Sequence, residues 1–420
     1  MEFPKMAKIS QTFDPQHIED IRAETLREVS ALRLQKKVKA GETVAITGGS
    51  RGIANIDVIT RAIIDELRNL GARPFIFPSM GSHGGATDKG QITVLENLGI
   101  TEAAMGCPVH SSMEVVFLGD ASDGYPIYVD KYASEADHIV VVNRVKPHTK
   151  FEGPIESGLM KMMAIGMGKH KGAEYYHSAA VKLTFQRIVE NVGLEVIQRC
   201  PVLFGLGIVE NAYHQTCLIK ALPPESIFEG EKKLLAISKQ RMARLPFDEI
   251  DVLVIDQMGK DISGTGMDTK VTGRNRDILG DFITSPRIKR IFVRDLTAAT
   301  EGSAIGIGFA DFTTTRLVNE MDRHKTYVNC LTAISPEKGA IPMYFDTDRE
   351  ALEACFNTIG DIPIEQVRMV HIKNTLALEN ISISSAFESE VKQKPGLKLL
   401  EKWNKVELNK AANLVSPFTD

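Results

Sequence analysis

Short apolar runs alternate with amphipathic helical stretches along the first half of the chain, and this alternation constrains the fold more than any other sequence feature. Residues 43–47 (TVAIT), 73–77 (RPFIF) and 138–143 (HIVVVN) are typical of strands. The run at 138–143 is continuously apolar, as in parallel strands buried on both faces. Further elements are predicted over 56–70, 88–98 and 179–198 as helices, and over 202–209 as a strand. This alternation predicts an α/β domain with a largely parallel sheet.

The alternation is interrupted at residues 221–245, where two prolines and a charged stretch predict a connecting helix and linker. A second α/β series is predicted beyond it, with strands at 252–256, 291–295 and 367–372, helices around 314–322 and 348–359, and a charged C-terminal helix over 393–408. A chain of 420 residues exceeds one ordinary core. We therefore predict two α/β domains with largely parallel sheets, residues 1–245 and residues 246–420, with the C-terminal helix able to pack back on the first domain.

Composition excludes several classes of protein. The 50 basic and 54 acidic residues give a net charge of −4, and aromatic residues make up 6%, which argues against nucleic-acid binding and against docking on an anionic membrane. The five cysteines are scattered without a CxxC pair, which argues against a disulfide framework or a zinc ribbon. No apolar run approaches the length of a membrane span, and the first ten residues show no signal-peptide pattern. A reducing cytoplasm is the expected location.

Ligands of open α/β sheets bind beyond the carboxyl ends of the strands, so the loops after strands are where chemistry is expected. The first such loop, residues 48–52 (GGSRG), offers Arg51 as a fork for a carboxylate or phosphate, although a glycine-rich turn with a solvated arginine fits equally well. The second loop places His83 among small residues at 80–87 (MGSHGGAT), where the ring is open to a substrate and suited to proton exchange. The alternative is a loop histidine that caps the next helix.

The third loop, residues 143–177, is the richest in reactive side chains. It contains His148, His170 and His177 together with the lysines Lys146, Lys150, Lys161, Lys169 and Lys171, and glycines including Gly166 and Gly168. So much positive charge in an acidic protein predicts an anionic, phosphorylated ligand. The alternative is a solvated, lysine-rich turn.

The histidines are also consistent with a zinc-dependent hydrolase. His83, His148 and His177 could form a three-histidine zinc site. The sequence contains no HExxH pair, no GxSxG elbow, no P-loop and no dinucleotide fingerprint. From the residues alone, the chain is an α/β enzyme with an anionic ligand and two or three working histidines, and the reaction stays open.

The same motifs resemble those of the nickel-dependent lactate racemase family, the 2-hydroxy-acid racemases and epimerases that use a nickel-pincer nucleotide. The chain has Pro147-His148 after a buried strand, then a glycine-rich stretch ending in Lys161, then Tyr176-His177. The GSH loop around His83 is similar to the family's GTH loop, and Arg51 falls where the family keeps a substrate arginine. The family's acidic residue before that arginine is missing here, and the second half differs from lactate racemase itself. The resemblance thus implies a homologue with another substrate.

The resemblance also implies a cofactor and its ligands. Lys161 would be the covalent anchor of the nickel-pincer nucleotide or its close neighbour, and His177 would be the protein ligand of the nickel, since imidazole suits this metal. The remaining cofactor-binding groups implied are Lys146, Lys150, Lys169, Gly166 and Gly168. Proteins that synthesise the cofactor are implied as partners. The first domain would bind the cofactor and the second would close over the substrate, with the active site in the cleft between them.

The reaction implied is racemisation or epimerisation of a small 2-hydroxy acid by reversible hydride transfer. A reaction that handles both enantiomers needs two bases, and His83 and His148 come from separate loops that can flank one site. Arg51 would bind the substrate carboxylate, with Lys260, Lys270 or Arg274 from the second domain assisting. The alternatives are the zinc hydrolase and a cofactor-free relative that binds a phosphorylated metabolite. The sequence leaves the particular hydroxy acid and the oligomeric state open.

Overall fold

The computed structural model describes residues 1–50, 52–278, 283 and 285–418, which divide into two compact units. The first unit comprises Asp14–Met242, and the second comprises Met1–Phe13 together with Ala243–Asp420. The second boundary lies close to the one predicted between residues 245 and 246. The first thirteen residues, which the sequence analysis placed in the first domain, lie in the second unit. No helix among the described residues is long and apolar enough to cross a membrane.

The strands of the described residues are β1 (Met6–Gln11), β2 (Thr43–Gly48), β3 (Arg73–Pro78), β4 (Val115–Asp120), β5 (Pro126–Asp130), β6 (His138–Arg144), β7 (Val202–Glu210), β8 (Thr216–Leu222), β9 (Glu249–Met258), β10 (Arg287–Leu296), β11 (Phe312–Thr314), β12 (Met343–Phe345), β13 (Met369–Ile372), β14 (Asn380–Ser384) and β15 (Leu397–Leu399). The α-helices are α1 (Ile21–Ser30), α2 (Ile56–Asn69), α3 (Asp88–Asn97), α4 (Glu102–Met105), α5 (Lys131–Glu135), α6 (Leu159–Lys161), α7 (Lys169–Leu183), α8 (Phe185–Arg199), α9 (Ile227–Arg241), α10 (Thr269–Thr272), α11 (Thr315–Glu320), α12 (Arg323–Thr332), α13 (Asp348–Phe356) and α14 (Glu388–Gln393).

The first unit is built on a sheet whose described strands have the order β3-β2-β6-β7-β8. β2 pairs in parallel with β3 and β6, β6 pairs in parallel with β7, and β8 runs antiparallel at the edge. The helix α2 buries Ile59, Ile63 and Leu67 against this sheet, because these residues share one helical face. β2 and β7 are buried along nearly their whole length, and β6 is buried at its four central residues, 139–142.

The second unit has a larger mixed sheet, with described strands in the order β12-β11-β10-β9-β13-β14-β1-β15. The strands from β12 to β13 are parallel, and β14, β1 and β15 are added antiparallel to one another at one side. The pairing of β1 with β14 and β15 explains why the first residues of the chain belong to this unit. The predicted fold class, two α/β domains with largely parallel sheets, is confirmed.

Two predicted helices are corrected. The helix expected over 393–408 is absent: α14 ends at Gln393, and Pro395 and Gly396 lead into β15, because proline offers no backbone N–H and Gly396 has a φ of +84°. The continuous helix expected over 179–198 is interrupted at Thr184, whose φ of +60° separates α7 from α8. The Thr184 hydroxyl accepts the N–H of Arg187, which caps the new helix.

Candidate active site

The three loops singled out in the sequence follow adjacent parallel strands. β3, β2 and β6 lie side by side, so that Pro78, Gly48 and Arg144 end at one edge of the sheet. The loops that carry His83, Ser50 and His148 therefore leave from the same edge, where ligands of such sheets bind. Arg51 lies outside the described residues, so its predicted role stays a prediction.

His83 is fixed by contacts on both sides of its loop. A short hydrogen bond joins His83 Nδ1 to the hydroxyl of Ser50, which connects the loop after β3 to the loop after β2. The buried side chain of Gln91 donates from Nε2 to the backbone oxygens of Gly81 at 2.9 Å and His83 at 3.2 Å. Because Nδ1 is hydrogen-bonded to Ser50, Nε2 is the ring nitrogen on the side away from this contact.

Lys169 is a buried residue that holds loops together. Its ammonium lies 3.0 Å from the carboxylate of Asp130 and donates to the Pro78 oxygen at 2.5 Å and to Gln91 Oε1 at 3.3 Å. Lys169 and Asp130 both have 0% of their surface exposed. Burial lowers the pKa of Lys169 and raises the pKa of Asp130, while the attraction between the two charges opposes both shifts. The contacts of Lys169 are those of a structural residue that supports the His83 loop through Gln91.

His148 and Lys161 are in direct contact. Lys161 Nζ and His148 Nε2 form a hydrogen bond of 2.9 Å. The backbone N–H of Lys150 donates to His148 Nδ1 at 3.0 Å, so that Nδ1 is the acceptor nitrogen of the ring. The neutral ring then carries its proton on Nε2, directed at the Lys161 amine. The structure therefore brings together one predicted base and the predicted anchor lysine.

Phe185 places His177 beside this pair. Its ring stacks on the imidazole of His177 with centroids 4.9 Å apart, and it also stacks on His148 at 6.0 Å. Phe151 completes the aromatic group, 4.5 Å from His148 and 5.4 Å from Phe185. Phe185 is the first residue of α8, so the interruption at Thr184 is what turns its ring back towards α7 and His177. His148 and His177 thus belong to one aromatic cluster, and Lys161 contacts it through His148.

A π-helical turn over Met162–Gly166 follows Lys161 and packs against the other two loops. Its Gly166 oxygen accepts the N–H of Gly81 at 3.4 Å. A Cβ on Gly166 would lie 2.7 Å from the Ser79 oxygen, and one on Gly168 would lie 2.6 Å from the Ala164 oxygen. Both glycines are thus required by close backbone packing. Such π turns recur at functional sites, and this one connects the Lys161 segment to the His83 loop.

The remaining predicted lysines of this loop border the His148 segment. The backbone of Lys146 pairs with Ser157 through two hydrogen bonds, at 2.8 and 3.1 Å, which closes the loop that carries His148. Lys150 is mostly buried, with 8% of its surface exposed. Both lie within a few residues of His148, whereas Lys169 makes the separate buried contacts described above.

Two buried carboxylates that the sequence analysis passed over also border the site. Glu156 Oε2 accepts the backbone N–H of His148 at 2.6 Å, and Glu156 Oε1 lies 2.5 Å from the ammonium of Lys239. Glu231 Oε2 accepts the N–H of Met160 at 2.8 Å, next to Lys161. Both carboxylates have 0% of their surface exposed. Burial raises the pKa of Glu231 to about 7, against the opposing effect of the N–H groups of Met160 and Leu159.

The raised pKa of Glu231 predicts a pH-dependent stability. Because the folded pKa of about 7 exceeds the ordinary 4.5, the folded chain binds the proton more tightly, and this contribution to stability is lost as the pH rises from 4.5 to 7. Glu231→Gln removes the titration. Between pH 4.5 and 7.5, the stability of this variant should therefore rise relative to wild type by roughly 3 kcal/mol. Urea unfolding followed by circular dichroism measures the difference, and Glu229→Gln, an exposed site on the same helix, is the control that should show no such trend.

The predicted substrate residues of the second unit differ in their surroundings. Lys260 Nζ donates to Asn329 Oδ1 at 2.5 Å, and the backbone N–H of Lys270 donates to Asp268 at the start of α10. The guanidinium of Arg274 donates to the oxygens of Phe309, Ile288 and Lys289 and to the carboxylate of Asp311, at 2.5–3.2 Å. These contacts occupy Arg274 within its own unit, so its geometry favours a structural role.

The sequence analysis did not single out Glu231, Phe185 or Glu156, and of these only Glu231 could have been recognised from the sequence pattern. Glu231 lies in the buried stripe of α9 formed by Ile227, Leu234, Leu235 and Ser238, where the helical period calls for an apolar residue. A charged residue in such a position indicates a buried partner. Phe185 and Glu156 carried no comparable signal, because their roles depend on the break at Thr184 and on the folding of the loop.

The fold and the site together define a two-unit α/β protein with histidines and a lysine at the carboxyl edge of a parallel sheet. Residues 6–186 match the family model described as the lactate racemase N-terminal domain, which confirms the predicted resemblance for this region. The solved structures that match include the lactate racemase apoprotein from Thermoanaerobacterium thermosaccharolyticum, with a TM-score of 0.56 and 15% sequence identity, over 86% of this chain and 93% of that one. At this identity the likeness shows the fold. A comparison with curated proteins gave no match.

Proposed function

We propose that this protein is a racemase or epimerase of a small 2-hydroxy acid that works with a nickel-pincer nucleotide. The observation that carries the proposal is the contact between His148 and Lys161, with His148 and His177 both stacked on Phe185. This grouping lies within the segment that matches the lactate racemase N-terminal domain. The family match supports the class of enzyme, and the cofactor and mechanism are part of the proposal.

The residues present fit such a cofactor. Lys161 would be the anchor of the cofactor, and its amine lies 2.9 Å from His148 Nε2, a ring nitrogen close enough to exchange a proton with it. His177 offers an imidazole, a suitable nickel ligand, at the same aromatic cluster. Lys146 and Lys150 would supply positive charge to the nucleotide phosphate. When bound, the cofactor would supply nickel and a pyridinium ring that accepts and returns a hydride.

His83 and His148 would act as the two bases. One ring would take the hydroxyl proton of its enantiomer as that enantiomer is oxidised, and the other ring, protonated, would give a proton to the oxygen as the opposite enantiomer forms. The Ser50 contact occupies Nδ1 of His83, so Nε2 would be the exchanging nitrogen of that ring. The His148 ring is held by the Lys150 N–H at Nδ1 and contacts Lys161 at Nε2, so its Nε2 would exchange protons with substrate only once Lys161 is engaged by the cofactor. Arg51 would pair bidentately with the substrate carboxylate, and Lys260 or Lys270 would assist.

Neither alternative is favoured. Within the described parts of the chain, no group of three or more His, Cys, Asp and Glu side chains is gathered in a way that could hold a metal ion, which gives no support to a three-histidine zinc site. The matching domain family is that of lactate racemase, which favours catalysis over simple metabolite binding. The partner proteins that make the cofactor, the lack of a nucleic-acid partner and the cytoplasmic location stay predictions.

The proposal is tested by supplying the protein with nickel and pincer nucleotide and screening single enantiomers of 2-hydroxy and sugar acids in D₂O. We expect interconversion with the C2 proton retained, because an internal hydride does not exchange with solvent. Intact mass reports whether Lys161 is modified, and Lys161→Ala is the control that should not load. A protein that is shown to be loaded and still interconverts no hydroxy acid, or that takes up deuterium at C2 at every turnover, contradicts the proposal.

A further inference from the structure

The helix α9 carries two side chains that connect it to the segments presenting His148 and Lys161. The sequence predicts only a connecting helix for this segment, and its apolar face does pack on β7, where Gly205 and Gly207 give room for Ile227 and Leu234. However, α9 also carries Glu231 and Lys239, whose charged groups reach the loop between β6 and α7. The two residues are eight positions apart, or about 12 Å along the helix.

The first connection runs from Lys239 to His148. The Lys239 ammonium lies 2.5 Å from Glu156 Oε1, and Glu156 Oε2 accepts the backbone N–H of His148 at 2.6 Å. The same carboxylate accepts the N–H of Gly153 at 3.4 Å. Glu156 has 0% of its surface exposed, so its charge depends on Lys239 and on these N–H groups for stabilisation.

The second connection runs from Glu231 to the residue before Lys161. Glu231 Oε2 accepts the N–H of Met160 at 2.8 Å. The backbone of Gly158 lies directly against the same carboxyl, since a Cβ there would be 2.3 Å from Glu231 Oε1. The contact fixes the first turn of the segment that presents Lys161 to His148.

We propose that Glu156, Glu231 and Lys239 are positioning residues that use α9 as a rigid support to hold the His148 imidazole against the Lys161 amine. The 2.9 Å contact between those two groups joins segments that are each fixed to α9 by one carboxylate. Groups that orient a site residue in this way typically change activity by 10- to 100-fold when they are replaced. The inference rests on the proposed function for the chemistry of Lys161 and His148, and on the contacts alone for the positioning.

The test compares Lys239→Met and Glu231→Met with Lys232→Met, a matched change on α9 at a lysine that pairs with the exposed Glu229. In the protein without cofactor, hydrogen exchange should speed up at the amides of His148 in Lys239→Met and of Met160 in Glu231→Met, by about tenfold, the factor that corresponds to 1.4 kcal/mol. The rate at which an amine reagent such as acetic anhydride labels Lys161 should change in both variants. Lys232→Met should match wild type in both measurements.

Loaded enzyme gives a second readout. We expect kcat to fall about 10- to 100-fold in Lys239→Met and Glu231→Met with KM nearly unchanged, and Glu231→Gln, which keeps an oxygen acceptor for Met160, to recover most of the loss. Unchanged amide exchange together with unchanged Lys161 labelling in Lys239→Met would overturn the inference. If Glu231→Met does not fold, the result for Lys239→Met alone tests the inference. Exchange and labelling are read without cofactor or substrate, so a failure of the racemase proposal is distinguished from a failure of the positioning.

Discussion

Replacing His148 with alanine is expected to lower turnover by about 10²- to 10⁴-fold, and replacing His83 should have an effect of the same size. Each ring would serve one enantiomer, and interconversion needs both. Because the two enantiomers are equal in free energy, kcat/KM must fall equally in both directions for each variant. The single-enantiomer experiment is therefore the informative one: loaded His148→Ala should still oxidise one enantiomer to the keto acid, and loaded His83→Ala should oxidise the other.

The amount of bound cofactor must be measured first in each variant, because His148 also contacts Lys161. Intact mass at Lys161 separates a loss of the base from a loss of the cofactor. His170→Ala is the matched control, since His170 is exposed at the start of α7, the helix that carries His177, and is expected to keep full activity. Full two-way activity in both loaded His83→Ala and His148→Ala would remove these residues from the mechanism.

Replacing Lys169 with methionine is expected to destabilise the first unit by about 3–5 kcal/mol. The change leaves the carboxylate of Asp130 buried without its cation, and it also removes the donor to Pro78 and Gln91. Urea-dependent hydrogen exchange at the amides of β2 and β6 is the appropriate measurement. The one tryptophan, Trp403, lies in the second unit, so its fluorescence reports on the other part of the chain.

Two controls make the Lys169 result specific. Lys131→Met removes a neighbouring lysine whose partner Glu114 is exposed, and it should cost at most about 1 kcal/mol. Adding Asp130→Asn to Lys169→Met removes the uncompensated charge and should restore part of the lost stability. If Lys169→Met keeps wild-type stability and fails only to retain cofactor, the residue has the cofactor-binding role that the sequence resemblance implies, and the structural interpretation is wrong.

The strands of the first unit were the most predictable part of the fold. Residues 43–47, 73–77 and 138–143 form β2, β3 and β6 with little change in their ends, because the centre of each run is apolar and each run begins with a polar residue. The interruption at Thr184 was not predictable, since the residues on both sides of it favour helix. A left-handed residue there is stabilised by contacts that form only in the folded chain, including the stacking of Phe185 on His177.

The site was predictable in its residue types and only partly in its contacts. His83, His148, Lys161 and His177 were recognisable because they follow strands and match motifs of a known family. Lys169 and Arg274 were predicted to bind cofactor and substrate, and these roles stay predictions; in the structure their charges are paired with Asp130 and Asp311. A sequence gives the charge of a side chain, but its exposure depends on what packs over it.

The sequence by itself determined the α/β class, the order of the strands along the chain and the loops that carry the candidate chemistry, because periodicity, strand ends and glycines are local properties. Only the tertiary structure decided which of these groups meet. Examples are the Lys161–His148 contact, the stacking of His148 and His177 on Phe185, and the carboxylates through which α9 holds both segments, all of which join residues distant in sequence. Their positions depend on the packing of buried surfaces and on the need of each buried charge for a partner, which no local pattern specifies.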